Sequence, residues 1–118
     1  MFQFLESGSS QKPTVVLLNN GTGRYLEDSS FKELQNHYHL VMPLMRGKDE
    51  KQEAAAKAHE IEAYVQKNCH GRVYAICGFF GSWDLMKLLL TETAVISEKT
   101  VIEEEDAVPG SLILSELN

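Results

Sequence analysis

The chain has 118 residues, a length that fits one folded domain and is sufficient to bury a core. Its formal net charge is −6 and its 11 lysines and arginines are scattered, which excludes nucleic acid as a main partner because phosphate binding needs clustered basic side chains. No apolar segment approaches the length of about 20 residues that crosses a bilayer, and the N-terminal segment lacks the pattern of a signal peptide. We therefore expect a cytoplasmic protein without a membrane partner.

The first half of the chain alternates apolar segments with polar loops. Residues 2–6 predict a short strand, and residues 14–18, TVVLL, predict a strand that is buried on both faces because apolarity is continuous rather than alternating. A helix is predicted from Ser30, where Ser30 and Glu33 have the spacing of a capping box. Residues 39–44, HLVMPL, predict the next strand.

The second half repeats the same alternation. Residues 49–67 predict the longest helix, because apolar residues recur at helical spacing on one face. Residues 72–79 predict a strand, residues 83–90 a helix, and residues 99–104 a fourth apolar strand of this series. Residues 106–111 predict a loop, and the final residues, SLILSELN, fit either a strand or a helix.

This order of elements predicts an α/β fold, in which a parallel sheet is flanked by helices on both faces. No internal repeat or linker divides the chain, so we expect one domain over residues 1–118. Ligands of such folds bind beyond the carboxyl ends of the strands, which directs attention to the loops that follow each strand.

Three of these strand ends resemble the α/β-hydrolase superfamily in order and spacing. Residues 14–23, TVVLLNNGTG, resemble its first strand and glycine-rich loop, and residues 41–47, VMPLMRG, resemble its next strand. Residues 73–89, VYAICGFFGSWDLMKLL, resemble its third strand, nucleophile elbow and following helix, and residues 100–110 stand where the next strand lies. The resemblance implies the N-terminal half of that fold, a truncated three-layer sandwich.

The elbow departs from the family pattern at the position that carries chemistry. An ungapped alignment places Phe80 at the nucleophile serine and Ser82 at the last glycine. A one-residue deletion instead leaves Gly78-Phe79 and Phe80-Gly81 flanking an absent serine, and it is preferred because the following helix keeps its register. Neither alignment places a hydroxyl at the tip, and phenylalanine cannot act as a nucleophile.

Two nearby residues are fallback nucleophiles. Ser82 lies past the turn, where a helix N-cap is the expected role, and Cys77 lies within the strand, where a buried structural thiol is expected. By position, the resemblance implies oxyanion-binding amides at Gly21 and at Phe80 or Gly81.

The acid and the histidine that complete the family's triad are not found at matching positions. We expect no catalytic role for the four histidines, which all precede the elbow: His37, His39, His59 and His70. The acidic run from Glu103 to Asp106 predicts a solvated strand end rather than a metal site, because neighbouring strand residues point to opposite faces. We expect neither a metal nor a cofactor.

The sequence therefore predicts an α/β-hydrolase-like protein, degenerate or truncated, without ordinary serine-hydrolase activity. One alternative is an interaction module, a homodimer that pairs the open sheet edge near residue 104. Another is a residual hydrolase that acts on a small ester or acyl substrate. A nucleotide-binding domain is disfavoured because NNGTG lacks the second half of a phosphate-binding motif. No residue pattern identifies a small-molecule ligand.

Overall fold

Strands and helices alternate along the chain in the computed structural model, which describes residues 3–18, 29–45, 51–105 and 108–118. The elements in chain order are β1 (Gln3–Ser7), β2 (Thr14–Leu18), α1 (Ser30–His37), β3 (His39–Leu44), α2 (Ala54–Cys69), β4 (Arg72–Gly78), α3 (Trp83–Glu92), β5 (Ile96–Ile102) and α4 (Gly110–Leu117). None of the helices in these ranges is long and apolar enough to cross a membrane.

The strands form one five-stranded sheet in the order β1-β3-β2-β4-β5. Strands β2, β3, β4 and β5 run parallel to one another, as the alternation of strands and helices predicts. β1 is the exception, since it pairs with β3 in antiparallel register, with Glu6 opposite Val41. The predicted α/β class is confirmed, and the antiparallel edge strand is a feature that the sequence pattern did not reveal.

Helices cover both faces of the sheet because the central strands are apolar on both sides. Val15 and Leu17 of β2 face the cluster that includes α1 and α4, whereas Val16 and Leu18 face the cluster that includes α2 and α3. All four side chains are 0–1% exposed. The continuous apolar run in β2 therefore has the cause that the sequence analysis assigned to it, and the result is three layers.

Several predicted boundaries are wrong. α2 begins at Ala54 rather than residue 49, and it ends at Cys69, where His70 adopts the left-handed conformation. β5 begins at Ile96 because it pairs with the whole of β4, from Arg72 opposite Ile96 onward, and it ends at Ile102. The register of a tertiary partner, rather than the local apolar run, sets both ends of β5.

The residues at which α1 and α4 begin also differ from the predictions. Ser29, not Ser30, occupies the N-cap of α1 and makes no side-chain capping hydrogen bond, so the predicted capping box is wrong. The C-terminal segment is a helix that begins at Gly110, inside the predicted loop. Burial of Ile113 and Leu117 against α1 and the sheet resolves the choice between strand and helix.

Candidate functional site

A tight turn joins β4 to α3 at the carboxyl end of the sheet. β4 ends at Gly78, and the Ser82 amide donates to Phe79 O at 2.9 Å to close the turn. Gly81 has φ +88°, a conformation that residues with a Cβ adopt at a cost, and α3 begins directly afterwards at Trp83. The segment is therefore a strand-turn-helix elbow, as its sequence predicts.

Gly78 allows α3 to lie unusually close to the end of β4. A Cβ added at Gly78 would stand 2.7 Å from Met86 Sδ and 3.1 Å from Met86 Cε, closer than side chains pack. A side chain at Gly78 would therefore force the end of the Met86 side chain to move, so glycine suits the close contact between helix and strand. This is one of the two reasons for which such turns contain glycine, the other being the left-handed conformation at Gly81.

The two phenylalanines of the elbow have different surroundings. Phe79 is fully buried in the cluster beneath α1 and α4, whereas Phe80 is 56% exposed. The Phe80 ring meets the Trp83 ring edge-on, with 5.6 Å between centroids. The exposed side chain at the tip is therefore hydrocarbon, in the region where a nucleophile would have to face its substrate.

Neither fallback nucleophile is activated by its surroundings. Cys77 is fully buried in β4, and burial raises the pKa of its thiol, helped by the charges of Glu103 and Glu116, so the thiolate is strongly disfavoured. Ser82 is 3% exposed and occupies the N-cap position of α3, although its side chain makes no capping hydrogen bond. Both residues lie where the sequence analysis placed them.

The backbone amides of the elbow are partly occupied. The Phe80 amide donates to Glu105 O at 3.0 Å, and the Phe79 amide donates to Leu18 O at 3.0 Å. Phe80 N–H is therefore already paired in this structure, which leaves Gly81 as the elbow residue for the predicted oxyanion role. Asn19, Asn20 and Gly21, the other predicted part of that site, lie outside the described residues.

Two solved structures share this arrangement of strands and helices over 86% of the chain. The first, a protein from Desulfitobacterium hafniense assigned to the alpha/beta hydrolase family, has a TM-score of 0.70 at 12% sequence identity. The second, described with the carboxylesterases of the ammonia-oxidizing thaumarchaeon Nitrososphaera gargenis, has a TM-score of 0.68 at 10% identity. The chain has the α/β-hydrolase fold.

The likeness to these α/β hydrolases extends to part of their structure. The matched region is 44% of the first protein and 41% of the second, so the chain spans less than half the length of either. No protein-family profile matches the chain, and no curated protein matches it. At these identities the comparison concerns the fold alone.

A buried carboxyl group lies beside the hydrolase-like elbow. Glu103, directly after β5, is only 6% exposed, and its main-chain oxygen accepts from Trp83 Nε1 at 3.1 Å. Its Oε1 has no hydrogen-bond partner within the part of the chain that the structure describes. Burial, a hydrogen bond with Glu116 and the charges of Glu116 and Glu105 raise the pKa of Glu103 to about 7. The predicted solvated strand end is therefore wrong at Glu103, because α4 covers it.

The acidic segment borders an open cavity of about 500 Å³, together with Val108 and Leu112. Among the residues that the structure describes, no group of three or more histidines, cysteines or carboxylates could hold a metal ion. Asp106, the last residue of the acidic run, lies outside those residues.

At the opposite end of the sheet, the side chains of Glu6, His39 and Thr14 form a hydrogen-bonded polar row that the sequence analysis missed. His39 Nε2 lies 2.9 Å from Glu6 Oε1, and His39 Nδ1 lies 3.0 Å from Thr14 Oγ1. The residues come from β1, β3 and β2, and Thr14 stands directly opposite His39 in the sheet. His39 is 4% exposed, and the sequence analysis, which expected no catalytic role for it, did not foresee these partners. The other three histidines are exposed.

A second open cavity, of about 520 Å³, lies at this amino-terminal end of the parallel strands. Thr14 and Cys69 line it, and so do the basic side chains of Lys12, His70 and Arg72. The sequence signal for this end was slight: Thr14 and His39 each begin a predicted strand, but only the register shows that they meet.

Proposed function

We propose that this chain is an α/β-hydrolase-like domain whose elbow is degenerate and does not perform ordinary serine-hydrolase chemistry. The observation that carries the proposal is the turn from Phe79 to Ser82, whose exposed tip is the Phe80 ring. A hydrolase of this class needs a hydroxyl at the tip, within reach of a base. The likeness to α/β hydrolases supports the scaffold, and the side chains of this elbow argue against its usual chemistry.

The elbow's remaining groups support the same conclusion. The Cys77 thiol is buried and its pKa is raised, so it is not a ready nucleophile. The Ser82 hydroxyl has no histidine as a hydrogen-bond partner among the described residues. Among the described residues, no histidine side chain forms a hydrogen bond with Ser82 or Cys77 that could provide the general-base assistance on which serine nucleophiles depend.

A fluorophosphonate probe followed by peptide mapping tests this proposal. We expect no label on Ser82 or Cys77, and we expect Ser82→Ala and Cys77→Ala to leave any ester turnover of the chain unchanged. An active carboxylesterase labelled in parallel verifies the reagent. Stoichiometric label on Ser82, lost in Ser82→Ala, would refute the degenerate elbow.

The open edge of the sheet favours a second function, association of two copies of the chain. Among the described strands, β5 has one neighbour, β4, and Ile96 and Ile102 at its two ends are 52% and 60% exposed. Two β5 strands paired antiparallel about Lys99 place Ile96 opposite Ile102 of the partner subunit at both ends of the interface. Self-complementary apolar pairs of this kind stabilise strand pairing.

Light scattering of matched variants tests the dimer. We expect the unmodified chain to be dimeric and Ile102→Lys to be monomeric, because a charge on each copy would enter the paired edge. Leu5→Lys is the control, since Leu5 is 38% exposed on β1 at the opposite edge. A monomeric mass for the unmodified chain at high concentration would exclude this association.

A further inference from the structure

The polar row at the amino-terminal end of the sheet has the connectivity of an acid, a base and a hydroxyl. Glu6 Oε1 contacts one ring nitrogen of His39 at 2.9 Å, and Thr14 Oγ1 contacts the other at 3.0 Å. We propose that these residues form an acyl-transfer site, remote from the elbow, in which the Thr14 hydroxyl is the nucleophile. The proposal does not depend on the state of the elbow.

The hydrogen bonds select the tautomer that such a site needs. A Glu6 carboxylate can only accept, so His39 Nε2 carries the proton and donates to it. His39 Nδ1 is then unprotonated and accepts the hydroxyl proton of Thr14. This arrangement makes His39 a general base for Thr14, while Glu6 holds the imidazole in position and stabilises its cationic form.

The base, His39, is buried, whereas the hydroxyl of Thr14 lies at a cavity. The His39 side chain is 6% exposed and the Glu6 side chain 51%. Thr14 lines the cavity of about 520 Å³ whose wall includes Tyr74 and Cys69. A substrate in this cavity meets Thr14 first, with its base on the side away from the cavity. A nucleophile needs its base within hydrogen-bond reach, and the 3.0 Å contact between Thr14 Oγ1 and His39 Nδ1 meets that requirement.

Thr14, unlike the neighbouring thiol, has a histidine as its hydrogen-bond partner. Burial raises the pKa of Cys69, contact with the Thr14 side chain lowers it, and the charge of Glu6 raises it, with a net rise. Cys69 is therefore left as a thiol, and no histidine side chain forms a hydrogen bond with it among the described residues. The other titratable group that faces Glu6 from α2 is the Tyr64 hydroxyl, whose pKa is raised by burial.

The charges around the cavity favour a small acyl compound with an anionic group. Lys12 and Arg72 line the cavity together with one carboxylate, Glu98, and neither cation forms an ion pair with a described carboxylate. The Lys12 ammonium donates to Asn36 O. A carboxylate on the substrate could pair with the Arg72 guanidinium while its acyl carbon approaches Thr14.

The reaction consumes only the substrate and water. Thr14 Oγ1 bonds to the acyl carbon as its proton passes to His39 Nδ1, and the bond from that carbon to the leaving oxygen breaks. The leaving alkoxide takes a proton from a water molecule in the open cavity. The hydroxide that this leaves attacks the acyl-Thr14 ester, and the threonine oxygen regains the proton held on His39 Nδ1. The products are a carboxylic acid and an alcohol.

Incubation with 4-nitrophenyl hydrogen succinate tests the site, with nitrophenolate release and peptide mapping as readouts. We expect release that coincides with a succinyl group on Thr14. Thr14→Val, which keeps the side-chain shape, should abolish both signals, whereas Thr14→Ser should retain them. Thr91→Val is the matched control: it removes an exposed hydroxyl on α3, bonded to Lys87 O, and should react as the unmodified chain does.

Two further variants distinguish catalysis from a role in holding the strands together. His39→Gln should slow acylation on the order of a hundredfold, the usual contribution of a general base. Glu6 is a positioning residue, so Glu6→Gln should lower the maximal acylation rate. The concentration of the succinate ester at which the rate is half-maximal should not rise. Glu6→Asp should restore part of the maximal rate.

The outcomes separate this site from the elbow. Acylation of Cys69, or none at Thr14 in the folded chain, would overturn the proposal, as would equal reactivity in Thr14→Val. Reaction at Ser82 would overturn the degenerate elbow and leave the Thr14 proposal to its own test, whereas absence of Thr14 acylation overturns this proposal and leaves the elbow proposal intact. A rate with neutral 4-nitrophenyl acetate equal to that with the succinate would overturn the assignment of an anionic substrate.

Discussion

The two ends of the parallel strands differ in what they offer to a ligand. At the carboxyl end, the elbow exposes the Phe80 ring, and the Phe80 amide is already bonded to Glu105 O. At the amino end, Thr14 lines an open cavity and has a histidine bonded to its hydroxyl. The fold therefore defines the end of the sheet at which a hydrolase site would lie, whereas the side chains determine whether chemistry is possible there.

Truncating the two elbow phenylalanines in turn gives the largest effect we expect. Phe79→Ala should lower the free energy of unfolding by about 3–5 kcal/mol, because it leaves a cavity in the core beneath α1 and α4. Phe80→Ala removes a half-exposed ring and should cost less than about 1 kcal/mol. Urea denaturation measures both. Equal losses would show that the elbow is packed differently from this structure.

Removing the charge of Glu103 should give the next largest effect. The pKa of Glu103 rises from its ordinary value of 4.5 to about 7 on folding, so its contribution to stability is present below pH 4.5 and is lost as the pH rises through about 7. Glu103→Gln should therefore raise the free energy of unfolding at pH 8 by roughly 1–3 kcal/mol and flatten its decline between pH 5 and pH 8.

Glu104→Gln is the matched control for that change, since Glu104 is exposed. Its unfolding curve should keep the pH dependence of the unmodified chain. A Glu103→Gln variant that retains the whole decline would mean that another group, rather than the carboxyl buried under α4, is responsible.

Backbone conformation at the elbow gives a smaller effect. Gly81→Ala should lower the free energy of unfolding by about 1–2 kcal/mol, because φ at this position is +88° and a Cβ disfavours it. Thermal denaturation, compared with Ser82→Ala at the next position, measures the cost. A stabilised Gly81→Ala variant would indicate that the elbow has an ordinary right-handed turn.

The smallest stability effect is expected at the amino end. Glu6 is half exposed, so its hydrogen bond with His39 is weakened by solvent, and Glu6→Gln should change the free energy of unfolding by less than about 1 kcal/mol. Acylation of Thr14 should nevertheless fall, as argued above. A large loss of stability without a loss of acylation would mean that the polar row only holds the strands together. The two ends of the sheet would then no longer differ in their chemistry.

Much of the elbow could be predicted from the sequence because the signals there are local. The apolar run before Gly78 indicates a strand, the glycines indicate a turn, and Leu85, Met86 and Leu89 recur at helical spacing on the buried side of α3. The missing serine is also visible in the sequence alone. Occupation of the Phe80 amide was not predictable, because its partner Glu105 lies on a different loop.

The amino-terminal row could not be predicted because it depends on register. Glu6, Thr14 and His39 are far apart in the chain, and they meet only because β1 and β2 flank β3. A shift of one residue in either pairing would turn a side chain to the other face of the sheet. In the sequence alone, a histidine with a chemical role at the start of a strand has no local property that distinguishes it from a purely structural histidine.

By itself, the sequence determined the α/β class, the central strands β2, β3 and β4, the elbow and the absence of a hydroxyl at its tip, because periodicity, glycine placement and residue identity are local properties of the chain. Only the tertiary structure decided that β1 is antiparallel, that β5 extends from Ile96 to Ile102, that the last segment is a helix, that Glu103 is buried, and that Thr14 meets His39. These features follow from pairing and burial between distant segments, whose energies outweigh local preference.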